Sequence, residues 1–340
     1  MDSLVGRVDE FLVDPHQPVD EMGDALTRNA FDPDELDRFF GFVCERQSIW
    51  HRRVIEGESP PWTDDPVLRR YRFTNVYREL DPGTRYAIDE ILDRDVPGTD
   101  RLFNVMVYRL IGRESTHRAL GFLRPETFDR ERFESVLEDR RRSGHAVFTG
   151  AYTVSGYAWR GSSNKIENVA SLFEEIAADF PSTSRRVFEA ASAKDAYEAI
   201  RSHPGFGRFL AYQVLVDLLY PLETTGGESL LSFSPDEWAK AGPGAQRGIG
   251  LLAAGRTEDE LAVMTWLWEN QRDEFRRRSL SFPYRRTDAG EREPSLADVQ
   301  NCLCEFSKYR AIQRGECRGR RRFRPDERRS TEELRRSLEG

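Results

Sequence analysis

The stretch His203-Pro204-Gly205-Phe206-Gly207-Arg208-Phe209-Leu210-Ala211-Tyr212-Gln213-Val214-Leu215-Val216-Asp217 reads as a tight turn with two glycines opening a helix over 207–220. Such a turn leaves backbone N–H groups at the positive end of a helix dipole, which is a ready phosphate site. Before it, Val187, Phe188, Ala191, Tyr197 and Ile200 predict a helix over 185–201. Two helices joined by so short a Pro-Gly-x-Gly link form a helix-hairpin-helix unit. The phosphate this turn suits is that of DNA.

The surrounding chain has 340 residues, enough for one large domain or two ordinary ones with a substantial core. At 38% hydrophobic and 32% charged it is a soluble composition, and no run approaches the roughly 20 apolar residues that span a bilayer. The opening residues, Met1 to Val5, carry no basic and apolar leader, so a cytoplasmic protein without membrane contact is expected. Cys44, Cys302, Cys304 and Cys317 match no common zinc spacing. Structural thiols, no metal and no cofactor are the expectation. The net charge is −8, yet of 51 basic residues only Lys165, Lys194, Lys240 and Lys308 are lysine. Net acidity does not exclude a nucleic-acid partner when positive charge is clustered, as it is towards the C-terminus.

Three segments follow from composition. Residues 1–30 are an acidic lead-in, residues 31–312 a helical domain, and residues 313–340 an Arg-rich, flexible tail suited to nonspecific phosphate contact. Within the domain, a helix starts at Asp32-Pro33-Asp34-Glu35, a Pro-rich turn ends in a cap at Thr63 or Asp64, and a charged helix covers Pro125 to Arg142. Residues 69–81 read as a helix with Arg72, Asn75 and Glu79 on one face and Tyr71, Thr74 and Arg78 on the next. A solvated helix with charge pairs is the competing reading. Gly161-Ser162-Ser163-Asn164-Lys165 opens another helix and can hold an anion; the G-x-x-x-x-G-K-[ST] spacing is absent throughout. Phe233 to Trp238 is a helix start containing Asp236, and Gly242-Pro243-Gly244-Ala245-Gln246-Arg247-Gly248 is either a flexible loop or a backbone that lets a phosphate or flipped base come close. A helix from Leu296 puts Asn301, Glu305 and Lys308 on one face. Strand-like alternation is nearly absent, so the fold class is all-α.

Five ordered motifs carry a resemblance: Trp62-Thr63-x-Asp65-Pro66, Tyr71 to Asp81, Pro204 to Gln213, Gly242 to Gly248, and Asp298-Val299-Gln300 with Cys304-Glu305 and Lys308-Tyr309. Over about residues 37–312 the chain resembles the alpha-glutamyl/putrescinyl thymine pyrophosphorylase family, whose helical domain also occurs in 5-hydroxymethyluracil DNA kinase. The resemblance implies a domain similar to the helix-hairpin-helix DNA glycosylases. It also implies a transferase in thymine hypermodification, in which an amine or amino acid displaces pyrophosphate from an activated 5-hydroxymethyluracil. With no P-loop, this chain is not expected to make the activated base; a separate kinase would.

That chemistry needs an extruded base, cations on the leaving oxygens and a proton acceptor for the amine. Arg72, Arg78, Lys165 and Arg247 are the candidates for phosphate, Asn75 and Gln213 for base edges, and Asp217, Asp236 or Glu305 for the base. Lys165 and Lys308 gain weight because lysine is scarce, and Gly205, Gly207, Gly242 and Gly244 are the candidates for the DNA backbone. Asp217, next to Val214, could equally be a paired structural carboxylate. Two alternatives stay open: a glycosylase excising a modified base, and a non-catalytic DNA-binding partner of a kinase.

Overall fold

The computed structural model describes residues 26–152, 154–253, 259–287, 290–319 and 322–323. It is mostly helical. In chain order the helices are α1 (Pro33–Trp50), α2 (Pro66–Arg70), α3 (Pro82–Ala87), α4 (Gly98–Ile111), α5 (Glu114–Leu120), α6 (Arg130–Arg142) and α7 (Lys165–Ala178), followed by α8 (Phe180–Phe188), α9 (Ala193–Arg201), α10 (Arg208–Asp217), α11 (Pro243–Leu252), α12 (Glu260–Glu269), α13 (Gln271–Arg277) and α14 (Leu296–Gln313). One antiparallel hairpin, β1 (Arg285–Thr287) and β2 (Gly290–Arg292), pairs Arg286 with Glu291. Among the described residues no helix is long and apolar enough to cross a membrane.

Several helix starts coincide with side chains that satisfy the first free N–H groups. The Asp32 carboxylate accepts from Glu35 N at 2.9 Å, Ser192 Oγ accepts from Asp195 N at 3.1 Å, and Ser295 with Asp298 forms a reciprocal capping box on α14. The helices then pack as two groups. In the first, α14 lies against α11, α12, α1 and α2; in the second, α10 packs on α4 and α9, α8 on α9, and α6 on α7. Phe39, Phe42 and Phe306 meet edge-on or tilted in the first core, and Phe103, Phe173 and Phe180 do so in the second.

Between the groups runs the segment 71–81, and here the expected helix is absent. The backbone makes no helical turn from Tyr71 to Tyr77, bends at Val76 and Tyr77, and makes only a short 3-10 turn at Arg78–Leu80. Carboxylates remote in sequence take the N–H groups that helix carbonyls would have taken. Thr74 N donates to Glu305 at 3.0 Å and Arg78 N to Asp298 at 2.9 Å, while Asn75 N donates to the nearer Asp81 at 2.9 Å. Arg72, Asn75 and Glu79 therefore do not share a helical face.

Other boundaries shift for local reasons. Asp65, rather than Thr63 or Asp64, caps α2, accepting from Val67 N and Leu68 N at 2.8 Å each. Asp129 caps α6, so that helix begins at Arg130 and Pro125–Thr127 is a separate turn. The single helix expected over 185–201 is two, because Ser192 opens α9 afresh. Most of the lead-in (residues 1–25) and of the tail (320–321 and 324–340) lies outside the described residues. Arg322 and Phe323, however, return to the body: Arg322 bridges Tyr71, and Phe323 N donates to Arg70 O at 2.9 Å.

Two buried histidines brace the second group. The His117 ring shares a hydrogen bond with Tyr86 OH through Nδ1 at 2.9 Å, and His203, in the α9–α10 turn, pairs Nε2 with Thr183 Oγ1 at 2.7 Å. Burial, with Arg94 and Arg118 adding to it, lowers His117 to about 4 from its ordinary 6.5, and burial lowers His203 in the same direction. His117 stays neutral in the fold while the unfolded chain protonates near 6.5, so the unfolded state binds more protons between about pH 6.5 and 4 and stability falls as pH drops through that window; the lowering of His203 acts in the same sense. Near pH 4.5 the loss from His117 should reach about 2–3 kcal/mol. Urea unfolding across that range should show a drop smaller by that amount in His117→Phe.

Candidate nucleic-acid site

At the junction of the two helix groups, three arginines converge on three carboxylates. Arg46 comes from the inner face of α1, Arg78 from the 3-10 turn at Arg78–Leu80, and Arg109 from the last turn of α4. Arg78 pairs with Asp81 through Nη1 and donates to Gln213 Oε1 of α10 through Nη2 at 3.2 Å. Burial alone would lower the Arg78 pKa, but the Asp81 charge outweighs it and the pKa rises. Arg109 grips Asp217 with Nε and Nη2, both at 2.5 Å, and reaches Thr84 Oγ1 at 3.3 Å. Glu305 takes Thr74 N and Lys308 Nζ on Oε2, at 3.0 and 2.5 Å. Its Oε1 accepts no bond among the described residues.

The expected site residues divide on this geometry. Arg78, Gln213, Glu305 and Lys308 are brought together, with Lys308 also 4.3 Å from the Phe73 ring centre and bonded to Arg72 O at 3.2 Å. Arg72 and Arg247 have exposed side chains at the edges of this cluster, and Arg247 raises no barrier to solvent. Asn75 is the clearest departure. It is buried, with Oδ1 accepting from Arg46 at 2.7 Å and Nδ2 donating to Leu80 O at 2.8 Å, so its amide holds the segment. Asp217 has both oxygens committed to Arg109, which corrects its reading as an available base. Asp236 accepts from Leu296 N at 2.8 Å and so helps cap α14; burial raises its pKa. Lys165 donates to Val154 O at 2.7 Å and sits 4.1 Å from the Phe148 ring centre. Neither Asp236 nor Lys165 makes a hydrogen bond or ion pair with the arginine cluster among the described residues.

The four glycines differ. Gly205 has φ +90°, and a Cβ there would lie 2.7 Å from Leu172 Cδ2, so the turn requires glycine on both counts. Gly207 is exposed at the N-cap of α10, whereas Gly242, at the N-cap of α11, is buried; neither cap has a side chain satisfying the first N–H groups. A Cβ on Gly242 would lie 3.5 Å from the Phe209 ring, which puts the two helix starts side by side. Gly244 faces α14 instead: a Cβ there would come within 2.2 Å of Cys304 Sγ. Its smallness serves helix packing, which corrects its reading as a point of phosphate approach.

Arg46 and Arg109 escape a reading by motif alone. The signal available was a single arginine set within each apolar stripe, Phe42-Val43 to Ile49 in α1 and Val105 to Ile111 in α4. Cys304 lies beside Glu305, and burial followed by that charge pushes its thiol up to about 11, which leaves it protonated and non-nucleophilic at neutral pH.

The protein is thus predominantly helical, with arginines and carboxylates gathered between two helix groups, beside two helix starts that have no side-chain cap. Residues 34–319 match the family model described as 5-hmdU DNA kinase, helical domain, and the chain belongs to that family. Over 286 residues it is 36% identical to a protein of Bacillus phage SP10 named 5-hmdU DNA kinase, covering 80% of this chain and 44% of that protein. The chain thus spans less than half the length of that relative. No solved structure matches it.

Proposed function

We propose that this chain modifies DNA at 5-hydroxymethyluracil-derived bases, transferring an amine or amino acid onto the base with loss of pyrophosphate. The observation that carries the reading is the convergence of Arg46, Arg78 and Arg109 beside Glu305, supported by family membership and by a relative named for 5-hmdU in DNA. The amine nitrogen bonds to the base methylene carbon while the bond from that carbon to the diphosphate oxygen breaks. Pyrophosphate departs with the electron pair, stabilised by Arg78, and the amine proton passes to Glu305 Oε1. The α9–α10 turn, read as a helix-hairpin-helix, anchors the DNA backbone at Gly205 and Gly207. Residues 31–312 form the functional unit, and a kinase supplies the activated base.

The test is incubation with DNA carrying the diphosphate ester of 5-hydroxymethyluracil and a panel of amines and amino acids, with nucleosides followed by mass spectrometry. Adducted nucleoside and free pyrophosphate are expected. Arg78→Met should reduce conversion by about 10²–10³-fold and Glu305→Gln by about 10²–10⁴-fold. Abasic sites would instead identify a glycosylase. Phosphorylation of the hydroxymethyl group by this chain alone would identify a kinase, and unchanged nucleosides without DNA retention at any salt would reject action on DNA.

A further inference from the structure

Arg46 also lines a cavity of about 260 Å³ that none of the chemistry above uses. Its walls include Trp62, Thr63, Tyr71, Phe73 and Phe323, with Arg46 among them. We propose that this cavity is a binding site for one uracil- or thymine-type ring, stacked among the aromatic walls with its carbonyl oxygens on Arg46 and Thr63.

Four observations support the assignment. The aromatic walls are fixed in advance: Trp62 Nε1 donates to Glu58 O at 2.6 Å, and Phe323 meets the Trp62 ring edge-on at 6.0 Å. Arg53 lies over both rings, at 5.4 and 6.0 Å. Rigid aromatic faces suit base stacking at low entropic cost. The Arg46 guanidinium is pinned by Nε on Thr74 O at 2.9 Å and by Nη2 on Phe73 O and Asn75 Oδ1 at 3.3 and 2.7 Å. Its remaining nitrogen, Nη1, has no partner among the described residues. Thr63 Oγ1 accepts from Asp65 N at 3.1 Å, so its own proton is left to donate.

The polar groups are thus donors, and Arg69 adds a second guanidinium to the wall. Two arginines repel an amine, and donors without a partnering acceptor select a ring rich in carbonyls over one that presents an amino group. The volume falls below the roughly 300–1,000 Å³ of sites for larger ligands, which limits the occupant to a single small ring system. Such a ring reaches the cavity from a DNA strand or from a free mononucleotide. The assignment rests on the cavity itself and stands whether or not the transfer chemistry proposed above is correct.

Calorimetric titration of the full chain with thymidine 5′-monophosphate and with a short single-stranded thymidine oligonucleotide tests it. Saturable binding of either is expected, weakened about tenfold in Phe323→Ala and regained in Phe323→Tyr. Binding of the mononucleotide assigns a free nucleotide as the source; binding of the oligonucleotide alone assigns the strand. The proposal is overturned if neither binds up to about 10 mM, if Phe323→Ala binds as the parent does, or if toluene or putrescine competes as well as the nucleotide. Conversion of DNA is read by nucleoside mass and binding here by heat, so failure of one reading is distinguishable from failure of the other.

Discussion

Replacing Asp217 with Ala should destabilise the protein by about 3–5 kcal/mol, because it strands the Arg109 guanidinium in the interior without its counter-charge. The Asp217 side chain is 1% exposed and that of Arg109 11%, and both carboxylate oxygens are engaged at 2.5 Å. The Asp217 charge also outweighs burial and raises the Arg109 pKa, so the arginine cannot escape the cost by losing its proton. Removing both partners is a different experiment. Arg109→Met with Asp217→Leu leaves no buried charge, and most of the lost stability should return, read as the urea midpoint. The pair also separates two roles for Asp217. A base acting on substrate would give Asp217→Asn a loss of conversion at unchanged stability. A positioning residue gives the same variant losses in both, since Arg109 is tied on to Thr84, and its own carbonyl accepts from Tyr152 OH at 2.5 Å.

Much of the helical order was legible because its signals are local. Asp32-Pro33, Asn164 and Ser295 each place a cap acceptor just ahead of an apolar stripe, and each opens a helix in the structure, whereas Ser192, inside the apolar pattern of 185–201, splits a helix that periodicity alone reads as one. The α9–α10 connection was legible for the same reason, through the positive φ that Gly205 alone could supply. The segment 71–81 was not, because its structure is decided by residues more than 200 positions away: Glu305 and Asp298 take the N–H groups of Thr74 and Arg78. Its polar residues recur at helical spacing, and periodicity cannot tell a helix from a non-helical chain whose amides are bought out by distant carboxylates. The candidate site shares this limit. Arg78 and Gln213 stand in motifs and meet at 3.2 Å, whereas Arg46 and Arg109 are single arginines within the apolar stretches 42–49 and 105–111, whose purpose emerges only when Asn75 and Asp217 arrive opposite them.

The strongest steric prediction concerns glycines of α11. In Gly248→Ala the new Cβ would lie 2.3 Å from Leu303 O and 2.9 Å from its carbonyl carbon. Both are backbone atoms of α14, so neither can rotate aside, and the two helices must separate at a cost of about 3 kcal/mol. Gly244→Ala meets α14 one turn earlier, but there the nearest atom is Cys304 Sγ at 2.2 Å, a side-chain atom that can move. Its cost should be smaller and should shrink further in a Cys304→Ala background. Gly250 has nothing within 4 Å of a built Cβ, so Gly250→Ala should stabilise the helix by about 0.5–1 kcal/mol. One substitution at three positions of one helix therefore predicts three outcomes, read together by thermal unfolding. Because Cys304, Glu305 and Lys308 ride on α14, the separation forced at Gly248 also moves Glu305 away from Thr74 N. Conversion of modified DNA should fall in Gly248→Ala and persist in Gly250→Ala, although neither position carries a side chain that could touch the substrate.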